Sequence, residues 1–159
     1  MDEIVVRSLA RWPNVPAVYG WLDLDRRGNW LIKGERIGNV ALREFIARNY
    51  SSDAQGRWFF QNGPQRVYVR LAYTPLVVHY EGDGLFDHCG CGTTALETFL
   101  DDEGSVLIRG ERGIGLLDDR DLERYAEEGE RLPRISRREV AARFGFVPDP
   151  ANGRADSLR

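Results

Sequence analysis

The fold follows from one stretch of sequence, Asp53-Ala54-Gln55-Gly56-Arg57-Trp58-Phe59-Phe60, whose spacing occurs three times in the chain. Each copy has an Asp, a Gly three residues later, and two large apolar residues that follow the Gly at positions two apart. This spacing predicts a type I turn in which the Gly adopts the left-handed conformation of a β-bulge. The other copies are Asp25-Arg26-Arg27-Gly28-Asn29-Trp30-Leu31-Ile32-Lys33-Gly34 and Asp101-Asp102-Glu103-Gly104-Ser105-Val106-Leu107-Ile108-Arg109-Gly110.

The apolar residues after each Gly predict strands. Side chains two positions apart face the same side of a strand, so each pair is expected to enter a core. Every copy is therefore expected to form a β-hairpin with one buried face. The predicted core pairs are Trp30 with Ile32, Trp58 with Phe60, and Val106 with Ile108.

The first and third copies match over a longer range, because residues 28–36 align with residues 104–112 and a short helix is predicted after each. Asn39 is a suitable N-cap for the first helix, and Asp118 or Asp119 for the second. The simplest account is a duplicated hairpin-plus-helix unit. The alternative is coincidence, since the same turn residues recur in many short hairpins.

These patterns predict an α+β protein, mostly antiparallel, with two related hairpin-plus-helix units and a C-terminal helix. The length of 159 residues suits one domain or two very small ones. The predicted organisation is an N-terminal extension over 1–16, a first unit over 17–80, a Gly-rich linker loop over 81–94, a second unit over 95–130, a C-terminal helix over 131–146 and a flexible tail over 147–159.

Composition argues against several classes of protein. Two cysteines are too few for a disulfide framework, and a net charge of −3 argues against a nucleic-acid partner. The chain has no apolar run long enough to cross a membrane and no recognisable signal peptide. We therefore expect a cytoplasmic protein with no membrane partner.

The charge is unevenly distributed along the chain. Residues 81–130 carry a net charge of −11, whereas residues 17–80 and 131–159 carry +4 each. Such an acidic block is most often a solvated face. The alternatives are pairing with the basic blocks of the same chain, or the docking of a basic partner on residues 97–130.

One cluster contains residue types that bind metals. Asp87-His88-Cys89-Gly90-Cys91 combines a carboxylate, an imidazole and two thiols, and His79 lies nearby in the sequence. Zinc sites usually separate paired cysteines by two or more residues, whereas a Cys-x-Cys pair could bind copper or act in redox chemistry. The plain alternative is a Gly-rich loop with two incidental thiols. We predict no cofactor, and we expect that His79, His88, Cys89 and Cys91 do not assemble a four-ligand site.

Trp21, Arg36 and Arg66 are the candidate ligand-binding residues, because an aromatic side chain beside arginines suits an anionic ligand. The plain alternative for Trp21 is a place in the core. No catalytic residue is predicted: the chain has no Ser in a nucleophile elbow, no His-Glu-x-x-His motif and no phosphate-binding loop.

Six segments of the chain carry a resemblance to a known family. They are Tyr19-Gly20-Trp21-Leu22, Gly34-Glu35-Arg36-Ile37-Gly38, residues 56–67, Tyr73-Thr74-Pro75, residues 115–122 and Arg143-Phe144-Gly145-Phe146-Val147. On these segments the chain resembles an uncharacterised family of small bacterial proteins of the proteobacterial type. Residues 22–80 are more loosely similar to a second bacterial family of unknown function, in which a hairpin, a helix and strands ending in an Ala-Pro or Thr-Pro step recur. That second resemblance implies two β-rich subdomains and no catalytic residues.

The function is unknown from the sequence, and two classes are weighed. The first is a non-enzymatic β-rich module that binds a protein or a small anionic ligand, as in signalling. The second is a metal-binding or redox protein centred on residues 79–91, for which zinc and copper are the candidate metals. A homo-oligomer is compatible with either class.

Overall fold

The computed structural model describes residues 1–11 and 17–152. The chain divides into two compact units, and each is described by itself. Unit 1 contains residues 1–25, residues 29–72 and the segment from Phe146 onward, and unit 2 contains residues 26–28 and 73–145. No helix in the described residues is long and apolar enough to cross a membrane.

Unit 1 combines one curved sheet with two helices. The elements are α1 (Glu3–Arg11), β1 (Val18–Leu24), β2 (Trp30–Ile32), β3 (Glu35–Arg36), α2 (Val40–Arg48), β4 (Tyr50–Ser52), β5 (Trp58–Asn62) and β6 (Gln65–Leu71). The strand order is β3-β2-β1-β6-β5-β4, in which β1 and β6 are parallel and the other neighbours are antiparallel.

The sheet of unit 1 curves around its buried face. The rings of Trp30 on β2 and Tyr50 on β4 lie 4.8 Å apart, although three strands separate them in the sheet. Phe45 of α2 meets Phe60 of β5 on this side, with ring centroids 5.5 Å apart. This inner face is the core of unit 1, and its strand residues are Leu22, Leu24, Trp30, Tyr50, Trp58, Phe60, Val67, Val69 and Leu71.

Unit 2 contains a seven-stranded sheet. Its elements are β7 (Leu76–Glu81), β8 (Gly84–Asp87), β9 (Gly92–Thr93), β10 (Glu97–Asp101), β11 (Val106–Gly110), β12 (Gly113–Leu117), β13 (Arg134–Ile135) and α3 (Val140–Phe144), with 3-10 helices at Asp119–Tyr125, Gly129–Arg131 and Arg137–Glu139. The core cluster on one side of the sheet consists of Val78, Leu85, Val106, Ile108 and Leu117.

The strand order of unit 2 is β13-β10-β11-β12-β7-β8-β9. Without β13, it matches the order of unit 1 when β4 is set against β10 and β1 against β7. The pairs β12–β7 and β10–β13 are parallel, and the rest are antiparallel. The prediction of a mostly antiparallel α+β protein is therefore confirmed.

One turn conformation occurs four times in the described part of the chain. In each turn an Asp carboxylate accepts the backbone N–H of the residue four positions on, and a Gly three positions on has a positive φ, which only Gly adopts at little cost. The N–H to carboxylate distances are 2.8 Å at Asn29, 3.0 Å at Arg57, 3.0 Å at Cys91 and 2.8 Å at Ser105. The φ angles are +83° at Gly28, +79° at Gly56, +86° at Gly90 and +83° at Gly104.

The three hairpins predicted from the sequence are all present, and the fourth turn, at Asp87, lies where a linker was predicted. The strand order sets the turn at Asp53, between β4 and β5, against the turn at Asp101, between β10 and β11. The sequence pattern predicted instead that the copy at Asp25 corresponds to the copy at Asp101. The prediction differs because similarity between short segments detects hairpins, whereas the strand order depends on parallel pairs between strands far apart in the chain.

The unit boundary differs from the predicted one. Residues 81–94 are not a linker loop, because β8 and β9 lie there and pair with β7. The chain passes from one unit to the other between Ala72 and Tyr73, ahead of Pro75. The many glycines of 81–94 serve tight turns within unit 2, which a composition-based reading cannot distinguish from a linker.

The predicted helices are present in modified form. Asn39 caps α2, since its side chain accepts the N–H of Leu42 at 3.0 Å. Asp118 accepts the N–H of Arg120, but the segment that follows is a 3-10 helix rather than an α-helix. The C-terminal helix is also shorter than predicted, because residues 131–135 contain a 3-10 turn and β13.

Both ends of the described chain pack on unit 1. Val5 of α1 is fully buried, and the Asp2 N–H donates to Asn49 at 2.7 Å. In the predicted tail, the Val147 N–H donates to Gly56 and the Pro148 carbonyl accepts the Leu71 N–H, so the tail begins as part of unit 1. Residues 12–16 of the predicted extension and 153–159 of the tail lie outside the described residues.

Replacing Asp101 is expected to destabilise the fold. Its buried carboxylate accepts the Tyr73 hydroxyl at 2.7 Å and the N–H groups of Glu103 and Ser105. Asp101→Ala leaves these donors unpaired, so the free energy of unfolding should fall by about 3 kcal/mol. Urea denaturation measures this change. Asp83→Ala, at an exposed turn position, is the control, and an equal effect of both substitutions would contradict the role of the carboxylate.

Candidate functional site

The three candidate ligand-binding residues lie on one face of the unit 1 sheet, opposite the inner face. Arg36 pairs with Leu31, Leu31 with Asp23, and Asp23 with Arg70. Paired residues share a face, and residues two apart on a strand share it too, so Arg66 on β6 joins them. We call this the outer face, and its members used below are Tyr19, Trp21, Asp23, Arg36, Phe59, Arg66, Tyr68 and Arg70.

A β-bulge brings Trp21 to the outer face. The register between β1 and β6 shifts between Val18 and Leu22, and Gly20 has φ +71°. Leu22 points into the core at 1% exposure, and Trp21 next to it is 37% exposed. The exposed indole contradicts a core position for Trp21 and leaves its ring available to a partner.

The Arg66 side chain packs against a cluster of aromatic rings. Its guanidinium is 3.9 Å from the ring centre of Phe59, and Phe59 in turn contacts Tyr68 at 6.0 Å. Tyr19 stacks on Tyr68 with ring centres 4.9 Å apart. A cation over an aromatic face is held in a fixed orientation without losing its charge.

Arg57 also covers Tyr68, at 4.8 Å, but its charge is neutralised. Asp53 accepts from Arg57 Nε at 2.8 Å and from the Tyr68 hydroxyl at 2.9 Å. Burial opposes ionisation of Asp53, yet the hydrogen bonds from Arg57 and Tyr68 hold the pKa of its carboxyl below the usual value. Burial raises the pKa of Tyr68, whose oxygen also takes part in a hydrogen bond with Arg66.

The charges of Arg36 and Arg66 have no acidic partner among the described residues, whereas Arg70 pairs with Asp23 at 2.9 Å. Strand spacing and residue rise place the Cα atoms of Arg66 and Trp21 about 8 Å apart, and those of Arg66 and Arg36 roughly 20 Å apart. The three residues therefore share a face, but a small ligand reaches only Trp21 and Arg66 together.

The cysteine cluster forms the fourth of the Asp turns. The Asp87 carboxylate accepts the N–H groups of Cys89 at 2.9 Å and Cys91 at 3.0 Å. Arg112 donates to its second oxygen at 2.8 Å, and this pair of a buried carboxylate and a half-buried guanidinium anchors the turn to the hairpin of β11 and β12. The Asp-x-x-Gly spacing of residues 87–90 carried the signal for this turn, and the unusual side chains around it drew attention to metal chemistry instead.

The four candidate metal ligands do not converge on one point, because the two histidines have other partners. His79, on β7, interacts with Glu81 at 3.2 Å, whereas His88 Nδ1 accepts the N–H of Val77 at 3.1 Å. Cys91 is exposed and Cys89 is half-buried. In residues 1–11 and 17–152, no three His, Cys, Asp or Glu side chains are grouped as a metal site requires.

Arg112 is the residue of this region that sequence reasoning missed. Its Nη1 donates to Cys91 Sγ at 3.6 Å, and it also hydrogen-bonds the thiol of Cys89. Burial, reinforced by Asp87, raises the pKa of the Cys89 thiol to about 12 despite Arg112. The two thiols are therefore chemically unequal.

Alkylation should distinguish the two thiols. With iodoacetamide at about pH 8, near the ordinary pKa of a thiol, the folded protein should be modified at Cys91 and spared at Cys89. Peptide mass spectrometry locates the label, and the unfolded protein in urea should take the label at both positions. Equal labelling in the folded protein would contradict the assigned difference.

Glu111 provides a second electrostatic test in unit 2. The hydroxyl of Thr93 at 2.6 Å and the N–H of Thr94 at 2.9 Å donate to its carboxylate, and they lower its pKa to about 2. A lowered pKa means that this stabilisation is present above the ordinary value of 4.5 and is lost as the pH falls toward 2.

Thr93→Val removes the first donor and should raise the pKa of Glu111. An NMR titration of the side-chain carboxyl carbon compares the midpoints in the two proteins. Thr94→Val keeps the backbone N–H and tests how much of the shift comes from that second side chain. An unchanged midpoint in Thr93→Val would show that the hydroxyl does not hold the carboxylate.

The acidic block is partly neutralised within unit 2. Glu103 pairs with Arg137 at 3.1 Å and with Arg26 at 3.9 Å, so both basic blocks contribute a partner. The same two guanidinium groups lie 5.1 and 4.9 Å from the ring centre of Tyr73. Intramolecular pairing therefore accounts for part of the charge segregation.

Comparison with known proteins places the chain among proteins of unknown function. Residues 1–151 match the model of the family DUF2944, whose description reads "Protein of unknown function (DUF2946)", and no curated protein matches. This confirms the predicted resemblance to an uncharacterised family.

Two solved structures share the fold. A DUF1285 family protein from Silicibacter pomeroyi DSS-3 superimposes with a TM-score of 0.54 at 16% identity, over 78% of this chain and 82% of that one. A DUF1285 family protein from Shewanella baltica OS155 gives 0.52 at 18% identity, over 67% of this chain and 91% of that one.

Proposed function

We propose a function from the residues themselves, because the chain belongs to the DUF2944 family, whose function is unknown. The proposal is a non-enzymatic module that binds a small anion carrying a planar ring on the outer face of unit 1. The observation that carries it is the guanidinium of Arg66, held 3.9 Å above Phe59 with no acidic partner in the described chain.

Arg66 supplies the anion contact. Its stacking on Phe59 fixes the plane of the guanidinium, and a fixed fork of N–H donors suits phosphate or carboxylate oxygens. Arg57 and Arg70, on either side, are neutralised by Asp53 and Asp23. The positive charge of this surface is thus concentrated at Arg66 and, some distance away, at Arg36.

Trp21 supplies the ring contact. Its exposed indole lies about 8 Å from Arg66 at the Cα positions, a separation that a phosphorylated heterocycle spans. Stacking on an exposed indole contributes to binding without requiring an enclosed pocket. We also propose that the protein is cytoplasmic and has a signalling role. We further propose that the two units descend from one duplicated ancestor, which the shared strand order supports.

An NMR titration of the full chain with adenosine monophosphate tests the proposal. Shifts should appear at the backbone amides around Trp21 and Arg66. Inorganic phosphate and adenosine each supply only half of the contacts, and both should bind more weakly than the nucleotide.

Matched variants locate the site. Arg66→Gln should weaken nucleotide binding about tenfold through the lost charged hydrogen bond, and Trp21→Ala should weaken it about tenfold through the lost stacking. Arg36→Gln removes an exposed arginine from the same face, out of reach of a ligand at Trp21 and Arg66, and should leave binding unchanged. An equal loss in Arg36→Gln, or no binding by the unmodified chain, would overturn the proposal.

A further inference from the structure

The turn at Asp87 brings two thiols under one guanidinium. Arg112 contacts Asp87 Oδ2 at 2.8 Å and Cys91 Sγ at 3.6 Å, and it also hydrogen-bonds the Cys89 thiol. A cation beside a sulfur favours the thiolate, which is the form that attacks an oxidant. The arrangement thus places one guanidinium beside both thiols of the turn.

The two cysteines differ in solvent exposure in the way that a redox-responsive pair requires. Cys91 is exposed and meets solvent oxidants first, while Cys89 is half-buried one residue away. Redox-responsive pairs generally join an accessible thiol that is oxidised to a neighbouring thiol that resolves it. In this turn Cys91 has the first role and Cys89 the second.

The backbone permits the two sulfur atoms to join. Cα atoms two residues apart are at most about 7 Å from each other, and disulfides accept separations of about 4.4 to 6.8 Å. The N–H groups of Cys89 and Cys91 converge on one oxygen of Asp87, so the chain bends between them. Gly90, with φ +86°, has no side chain in the way.

We propose that Cys89 and Cys91 form a reversible intrachain disulfide when a hydroperoxide oxidises Cys91. The proposal is independent of the ligand site on unit 1. A disulfide across so short a segment closes a small, strained ring, and strained disulfides are readily reduced. The bond is therefore expected to form and break reversibly, and not to serve as a permanent structural disulfide.

The chemistry balances with hydrogen peroxide as the oxidant. The Cys91 sulfur attacks one peroxide oxygen, the O–O bond breaks, and the thiol proton leaves with the second oxygen as water. The Cys89 sulfur then attacks the sulfenic sulfur, the S–O bond breaks, and a second water carries away the Cys89 proton. Two thiols and one peroxide give one disulfide and two waters.

Intact-mass spectrometry of the reduced full chain, treated with equimolar hydrogen peroxide, tests the proposal. The expected product is a monomer that has lost two hydrogen atoms, and dithiothreitol should restore the original mass. Peptide mapping should place the bond between Cys89 and Cys91.

Variants assign the roles of the residues. Cys89→Ser should stop at a sulfenic acid on Cys91 that dimedone traps, and Cys91→Ser should stay reduced under the same conditions. Arg112→Gln should slow oxidation about tenfold, whereas Arg120→Gln, at an exposed arginine on the same unit, should not. Because Asp87 loses its partner in Arg112→Gln, Arg112→Lys keeps that charge pair and should oxidise at an intermediate rate.

Three results would overturn the proposal. One is a Cys91→Ser protein that oxidises as fast as the unmodified chain. Another is a disulfide formed only between two molecules. The third is oxidation of Cys91 beyond the sulfenic acid in the unmodified chain without ring closure.

Discussion

The carboxylate of the Asp turn is the interaction on which the rest of the structure depends. In its four occurrences, at Asp25, Asp53, Asp87 and Asp101, the side chain takes the place of a backbone acceptor and fixes the reversal of the chain. The turn sets the register of each hairpin. An isolated two-stranded hairpin is only marginally stable, so the apolar residues that follow the Gly must pack within a larger sheet.

In three of the four turns, the second carboxylate oxygen binds a residue outside the turn, whereas the second oxygen of Asp25 accepts the side-chain N–H of Asn29 within it. Asp53 binds Arg57 and Tyr68, Asp87 binds Arg112, and Asp101 binds Tyr73. Asp87 and Asp101 are buried, and a buried carboxylate is costly unless it is paired and hydrogen-bonded, so at these two positions the partners are required for stability. The same local turn thus acquires a different neighbour in each place, and those neighbours determine the local chemistry.

Both proposals arise from how charge is distributed after this pairing. On the outer face of unit 1, Asp53 neutralises Arg57 and Asp23 neutralises Arg70. No carboxylate of the described residues pairs with Arg66, and its aromatic neighbours orient the guanidinium without neutralising it. In unit 2, Arg112 is recruited by Asp87 and so comes to lie beside two thiols. In each place a structural ion pair decides which functional group remains available.

The sequence by itself determined the hairpins, the left-handed glycines, the core pairs Trp58–Phe60 and Val106–Ile108 and the N-cap at Asn39, because each depends on residues within a few positions of one another. In the third predicted pair Trp30 is buried, but Ile32 is only half-buried. It also placed Trp21 and Arg66 among the candidates for ligand binding. Only the tertiary structure decided the parallel pairs β1–β6 and β7–β12, the boundary at Ala72, the exposure of Trp21 and the position of Arg112. These depend on contacts between residues far apart in the chain, and a local pattern carries no information about which distant strand or side chain will complete it.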